Sequence, residues 1–342
     1  MPDISAGETL DQYAVLEIVA RSGMATVFKG RDLVDGQLVA LKVPHIEFEA
    51  DIVFHKRFLR EEEIGVRLHH PSIVSVRRPK EKSRVYLVQE FVEGESLRRI
   101  VRSDGVLPID RAVHIAVQIA DALDYLHREG VVHRDLKPEN VIMTPGAGIK
   151  IIDFGIAFDT ALRKMTWSGL SGTTGTPDYM APEQVEGRRG DARSDLYSLG
   201  VILYEMLTGR VPFKEGNSMA AMRAKVVSDP EPLRQFRPDI PAGLEEAILL
   251  ALARDPAKRP ESAFEFKEMI THPDSLVGAH RRAAATSHER FTPRARRVLA
   301  IGVVLGGSVL LLAALWVVSL LTPAEPPAVG RPGASTWNRP PH

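Results

Sequence analysis

The stretch His133-Arg-Asp-Leu-Lys-Pro-Glu-Asn140 gathers two carboxylates, two cations and a carboxamide around one proline. Asp153-Phe-Gly155 follows thirteen positions later, and Ala181-Pro-Glu183 completes the series. A lone Asp or Asn in a loop is ordinarily a turn cap, because its short side chain bonds the nearby backbone. The joint spacing of all three stretches overturns that reading for this set.

Outward from this stretch, the N-terminal side alternates β-like runs (Ala14–Val19, Thr26–Arg31, Leu38–Val43, Val85–Glu90) with one helical stretch around Phe54–Leu68. After Gly94 the pattern turns mostly helical. Ile109–Arg128 places Val113, Ala116, Val117, Ala120, Leu123 and Leu126 at helical spacing, with Gly130 as the stop. An α+β chain is implied, with a β-rich small lobe joined to an α-rich larger one. No internal repeat is visible.

In their order, the three motifs resemble the catalytic-loop, DFG and APE signatures of protein kinases. Residues 13–271 are identified as a member of the bacterial Hanks-type kinases, with an N-lobe over 13–92 and a C-lobe over 93–271. The resemblance implies the two-lobed kinase fold, ATP with Mg²⁺ (Mn²⁺ as the alternative ion), and protein substrates. Lys137 within Asp-Leu-Lys-Pro-Glu-Asn is the form typical of Ser/Thr rather than Tyr kinases. Phosphoryl transfer needs an aligned hydroxyl, a place for its proton, and cations for phosphate charge. By match to the motif, Asp135 would orient the hydroxyl, Lys137 would contact the γ-phosphate, and Asn140 and Asp153 would hold the metal.

In the small lobe, Val39-Ala-Leu-Lys42 resembles the strand whose lysine meets the α- and β-phosphates. Its expected partner is Glu61, chosen by its distance to His70-Pro71. Glu62 and Glu63 are expected on the solvated helix surface, because successive helix residues point in different directions. Gln89 falls at the gatekeeper position and Glu90 to Val92 at the adenine-reading hinge. The glycine-rich loop departs from the family. Ala20, Ser22 and Ala25 stand at the three glycine positions, and only Gly23 remains before Val27. The nucleotide site implied by the resemblance is Val19, Ala20, Ser22, Gly23, Ala25, Val27, Ala40, Lys42, Glu90 and Val92. Side chains where Cβ-free backbone is usual should weaken nucleotide binding. Ala20→Gly with Ser22→Gly is then expected to lower the KM for ATP.

Gly175–Glu183 resembles the substrate-docking segment, with Thr176 near Asp135 and Lys137. Glu183 is expected to pair with Arg259, Asp195 to buttress the catalytic loop, and His133 to serve as scaffold. The His69-His70 pair has no metal-ligand spacing partner and reads as structural. Arg134, directly before Asp135, suits a phosphate clamp for an activation loop. Thr173 or Thr174 is the first phosphosite candidate, with Thr166 and Ser168 next.

A formal charge of +0 excludes the basic excess of a nucleic-acid binder, so no nucleic-acid partner is expected. The absence of cysteine excludes disulfides, zinc-thiolate sites and thiol nucleophiles. Residues 1–12 form an N-terminal tail without a basic or apolar signal region, so the globular part is expected to stay where it is made. Val298 to Leu321 carries no charge over 24 residues, against roughly 20 needed to cross a bilayer as a helix. It reads as one transmembrane helix. The linker 272–297 contains Arg281, Arg282, Arg290, Arg294, Arg296 and Arg297 against Glu289 in its distal part, which places the kinase domain on the cytoplasmic side of the membrane. These arginines suit anionic lipid headgroups as well as a solvated linker. The Pro/Gly-rich tail 322–342 is too small and polar to hold a folded sensor and is expected outside the cytoplasm. Gly302 and Gly306 form a spacing through which two copies can pack as a homodimer.

Two other classes compete. A pseudokinase scaffold at the membrane would draw support from the eroded glycine loop, and intact Lys42, Asp135, Asn140 and Asp153 argue against it. A small-molecule phosphotransferase would not need the docking segment.

Overall fold

The computed structural model describes residues 4–49, 52–153, 177–213 and 217–274. The expected span 298–321, the tail, most of the basic linker, Thr176 and the four phosphosite candidates lie outside the described residues. Among the described residues, no helix is long and apolar enough to cross a membrane.

The first lobe is built on a six-stranded antiparallel sheet: β1 (Thr9–Leu10), β2 (Tyr13–Arg21), β3 (Ala25–Asp32), β4 (Leu38–Pro44), β5 (Val76–Arg77) and β6 (Leu87–Glu90). Their order across the sheet is β1-β2-β3-β4-β6-β5. Period-two alternation sorts the residues of β4. Val39, Leu41 and Val43 enter a core with Tyr13, Val15, Phe28, Tyr86 and Val88, which leaves Ala40 and Lys42 on the other face. The last strand begins at Leu87 rather than at the expected Val85, because the Tyr86 carbonyl accepts from Lys82 Nζ at 2.7 Å instead of from a neighbouring strand.

Two helices, α1 (Ile46–Glu49) and α2 (Ile52–Arg67), follow β4. The second passes so close to β5 that a Cβ on Gly65 would sit 2.4 Å from Val76 Cγ2. Glycine there is a packing requirement, despite its cost within a helix.

The larger lobe contains α3 (Leu97–Asp104), α4 (Ile109–Arg128), α5 (Pro182–Val185), α6 (Ala192–Thr208), α7 (Ser218–Val227), α8 (Ala242–Ala251) and α9 (Ala263–Thr271). A small sheet of β7 (Glu95–Ser96), β8 (Val141–Met143) and β9 (Ile149–Ile151) accompanies them. The helix read from periodicity at Ile109–Arg128 has those bounds, and Gly130 follows with φ 73°. Helix α6 is buried from Ser194 to Thr208, as a central helix must be, and is closed by Gly209 in the left-handed region. Ile151 N donates to Ser72 O at 2.8 Å and Val74 N to Ile151 O at 3.0 Å, which ties β9 to the segment leading into β5. Asp153, two residues beyond β9, is thereby fixed relative to the six-stranded sheet.

Candidate active site

Cross-strand pairing assembles one side of the site. Val27 is the partner of Lys42, and Ala40 the partner of Gln89, so these residues share the sheet face turned away from the lobe's core. Lys42 Nζ lies 3.1 Å from Glu61 Oε1 on α2 and 2.8 Å from Asp153 Oδ1. Burial would discharge this amine, but Asp153 and then Glu61 hold it firmly protonated, well above the usual lysine range. Burial pushes the Glu61 carboxyl up against the pull of Lys42. Asp153 is held down because Lys42 outweighs its burial. Of the three consecutive glutamates, Glu61 is thus the one that meets Lys42. Glu62 corrects the expectation of a solvated surface: it is 5% exposed and bonded to Lys82 Nζ at 2.6 Å.

The catalytic loop supplies the other side. Lys137 Nζ lies 2.6 Å from Asp135 Oδ2, and Asn140 Nδ2 donates to the Asp135 carbonyl at 2.9 Å. This loop is held from below by Asp195 of α6, whose carboxylate accepts from His133 N at 2.9 Å, Arg134 N at 2.7 Å and His127 Nε2 at 2.8 Å. Asp195 is therefore the expected buttress. His133 is fully buried and its Nδ1 accepts from Asp135 N at 3.3 Å, which makes it scaffold. Arg134 and Asp153 both adopt positive φ, at 64° and 56°. Non-glycine residues held there store strain that the surroundings must compensate, and such strain concentrates at functional sites.

His70 is structural, its Nδ1 accepting from Ser72 N at 3.1 Å while the ring stacks on Tyr125. Among the described residues, no group of His, Cys, Asp and Glu side chains has the makings of a separate metal centre.

ATP and a divalent cation suit the residues present. The Gln89 Nε2 amide is buried without a hydrogen-bond partner among the described residues, on the sheet face that carries Ala40 and Lys42. An orphan donor in that place calls for a polar ligand atom. Asn140 uses its nitrogen on Asp135 O, which leaves its carboxamide oxygen, like the carboxylate of Asp153, as a hard oxygen donor of the kind Mg²⁺ prefers.

The glycine-poor loop has its own solution. Ala20, Ser22, Gly23 and Ala25 all avoid positive φ, so no left-handed position requires glycine. Ser22 instead closes the turn: its Oγ donates to Ala25 O at 3.0 Å and accepts from Ala25 N at 3.1 Å. Val19, Ala20, Ser22 and Gly23 are exposed and Ala25 is buried, while Val27, Ala40, Glu90 and Val92 are half-buried. The expectation for Ser22 therefore reverses. Ser22→Gly should raise the KM for ATP about two- to five-fold, because it removes a net hydrogen bond and adds backbone freedom. Ala20→Gly alone should leave it within about two-fold. Steady-state kinetics at varied ATP check both.

Sequence reasoning missed a network beside the catalytic loop. Arg98 of α3 donates from Nε to Glu139 Oε1 at 2.8 Å and from one terminal nitrogen to Glu205 Oε1 at 2.8 Å, and also bonds the Tyr179 hydroxyl. Tyr179 in turn donates to Glu205 Oε2 at 2.5 Å. Glu139, which could have recruited a basic residue of a substrate, is already engaged. The only signal was a string of unpaired-looking charges on separate helices. Gln184 Nε2 donates to Arg134 O at 3.0 Å, so the segment 177–184 is bonded directly to the catalytic loop at its far end, and only through Tyr179 and Arg98 to Glu139 of that loop.

A β-rich lobe offering a paired lysine, and a helical lobe offering an Asp-Lys-Asn loop and an Asp across the cleft, define a phosphotransferase of the protein kinase type. The sequence family described as protein kinase domain matches residues 13–273, and the chain belongs to it. The chain is 38% identical over 261 residues to a probable serine/threonine-protein kinase of Streptomyces coelicolor, covering 75% of this chain and 39% of that protein. It is 37% identical to the serine/threonine-protein kinase PknB of Mycolicibacterium smegmatis (75% of this chain, 42% of that one). It is 36% identical to PrkC of Bacillus subtilis (76% and 40%). The chain thus spans about two fifths of the length of these relatives. In structure it resembles the crystallised kinase domain of Mycobacterium tuberculosis PknI, with a TM-score of 0.63 and 30% identity, covering 79% of this chain and all of that domain.

Proposed function

We propose that this chain is a serine/threonine protein kinase that transfers the γ-phosphoryl group of ATP to hydroxyls of proteins, itself included. The observation that carries this reading is the Lys42–Glu61 pair at 3.1 Å with Asp153 at 2.8 Å from the same amine, across from the Asp135–Lys137 pair. When bound, a divalent cation would screen phosphate charge beside Asn140 and Asp153. Lys42 would fix the nucleotide phosphates, Asp135 would orient the acceptor hydroxyl and take its proton, and Lys137 would balance charge building at the transferred group. The segment 177–184, bonded to the catalytic loop, favours a peptide acceptor over a small molecule.

Autophosphorylation of the activation loop belongs to the same reading, with Thr173 or Thr174 first and Thr166 and Ser168 next. Support comes from Arg134, whose guanidinium is destabilised by burial and by the nearby charges of Arg189 and Arg60, which together outweigh the pull of Asp195 and Asp191. A cluster of like charges of this kind is relieved by an anion, and a phosphate with its bidentate bonds is the strongest one available to a loop. The test is incubation of the full chain with Mg²⁺ and ATP beside its Asp135→Asn variant, followed by phosphosite mapping. Phosphate on Ser or Thr in the first sample alone is expected. A wild-type chain that binds ATP and transfers nothing would establish the scaffold reading instead.

Anchoring is proposed on the uncharged span 298–321 and the arginines before it. Expressed in cells, a Ser335→Cys variant should be labelled by an impermeant thiol reagent while the kinase domain stays protected from external protease. Labelling only after lysis would remove or reverse the span. A homodimer through Gly302 and Gly306, and contact of the basic linker with anionic lipid, belong to the same membrane reading.

A further inference from the structure

Lys225 sits on α7, whose start is capped by Asn217 Oδ1 accepting from Ala220 N at 2.9 Å. A lysine on a short helix usually reaches solvent. Lys225 instead turns inward and is 1% exposed. Its ammonium donates to the backbone carbonyls of Pro177 at 2.7 Å and Met180 at 3.2 Å, and to that of Asp178. The Tyr197 ring of α6 lies 5.9 Å from it. Among the described residues no carboxylate forms an ion pair with this buried cation, and its three donors match three acceptors of one short turn.

That turn is the first described segment after residues 154–176, and it leads into α5. The 3₁₀ turn satisfies only part of its own backbone: Met180 N returns to Pro177 O at 3.2 Å. Buried carbonyls need partners, and a charged donor makes a stronger bond than a neutral one. An apolar residue at position 225 would leave those acceptors underbonded. On the other side of the turn, Tyr179 bonds Arg98 and Glu205, Arg98 in turn holds Glu139 of the catalytic loop, and Gln184, four residues beyond the turn, donates to Arg134 O of that loop. The turn is therefore held between α7 and a network that adjoins the loop carrying Asp135.

We propose that Lys225 is a positioning residue for the protein acceptor: its three bonds to the 177–180 backbone set where an acceptor peptide docks, with no part in binding ATP. The inference rests on the reading of this segment as the docking surface of a kinase. It also makes docking responsive to pH. Burial pulls the amine down to about 7 against the pull of Asp178. Below that pH the ammonium fills all three acceptors. As pH rises through it, the amine keeps only two hydrogens and sets a lone pair against a carbonyl. The titratable groups that face it are Asp178 of the turn and Tyr197 of α6, whose ring also has the Arg259 guanidinium at 5.0 Å.

The test uses the full chain with Lys225→Met and Lys225→Arg. In Lys225→Met, amide hydrogen exchange of Asp178 to Met180 should quicken about ten-fold or more, as follows from losing a charge-assisted bond at a buried turn. KM for a Ser/Thr peptide should rise about ten-fold while KM for ATP stays within about two-fold. In the wild-type chain the peptide KM should climb between pH 6 and 8, and that step should vanish in Lys225→Arg, whose guanidinium stays charged. Unchanged exchange in a folded Lys225→Met chain, or a peptide KM that does not separate from the ATP KM, overturns the proposal. The exchange readout needs no turnover. If the wild-type chain transfers no phosphate but exchange still quickens in the variant, the tether stands and the kinase reading falls.

Discussion

Asp135→Asn is expected to remove phosphoryl transfer while leaving ATP binding within about three-fold of wild type. The structure explains why the two should separate. Among the described residues Asp135 has no hydrogen bond to the six-stranded sheet; its carboxylate is engaged by Lys137 at 2.6 Å and by Asn140 at 3.5 Å, while its backbone is held by Asn140 and His133. Lys42, Glu61 and Asp153 form their own ion-paired cluster, to which Asp135 makes no hydrogen bond among the described residues. A carboxamide at position 135 keeps the size of the side chain and loses its basicity, so the acceptor hydroxyl has nowhere to send its proton. General-base assistance is worth about 10² to 10⁴ in rate, and the loss should fall on kcat. Turnover assays with a peptide acceptor, beside nucleotide titration, check it. Unchanged kcat in the variant would sink the role given to Asp135.

How much of this was legible in the sequence depends on what kind of contact made each feature. The catalytic loop, Lys42 and Asp153 were readable because phosphoryl transfer needs a fixed set of polar groups, and their order along the chain is itself the signal. Glu61 was readable by spacing, and the buried pair with Lys42 agrees. Glu62 was not, because its partner Lys82 lies twenty residues away on a loop and nothing in α2 alone distinguishes a buried glutamate from a solvated one. The turn chemistry of Ser22 was missed for a different reason. A family pattern shows where glycine is usual, but not that a hydroxyl can close the same turn without any positive φ. Arg98 and Lys225 lay furthest from reach. Each is a long cation on a helix, where exposure is the ordinary outcome, and only tertiary packing reveals that their partners sit tens of residues away.

Arg259→Ala is expected to destabilise the domain by about 3–5 kcal/mol, the range for removing one partner of a buried ion pair. Both guanidinium terminal nitrogens reach Glu183, at 2.7 and 2.8 Å, and Arg259 is 1% exposed and Glu183 4%. The same guanidinium also donates to the carbonyls of Ala253, Arg193 and Arg254, and lies 5.0 Å from the Tyr197 ring. Truncation leaves a buried carboxylate whose remaining partner is the Ser194 hydroxyl at 2.5 Å, along with several unfilled carbonyls. The pH dependence follows from Glu183. Burial would raise its pKa, but Arg259 outweighs burial and the folded-state value lies below 4.5. The pair's contribution is therefore present above about pH 4.5 and is lost as pH falls through the lowered folded value. In Arg259→Ala, burial is opposed only by the Ser194 and backbone hydrogen bonds and the carboxyl protonates more readily, so the difference from wild type should be large at pH 7 and shrink toward pH 4. Adding Glu183→Gln to Arg259→Ala should recover part of the loss at pH 7, because the orphaned charge is gone. Denaturant midpoints for the wild type and these two variants, at pH 7 and near pH 4.5, check the set. A single variant within about 0.5 kcal/mol of wild type at pH 7 would show that the pair is not holding α5 to the end of α8 as the geometry requires.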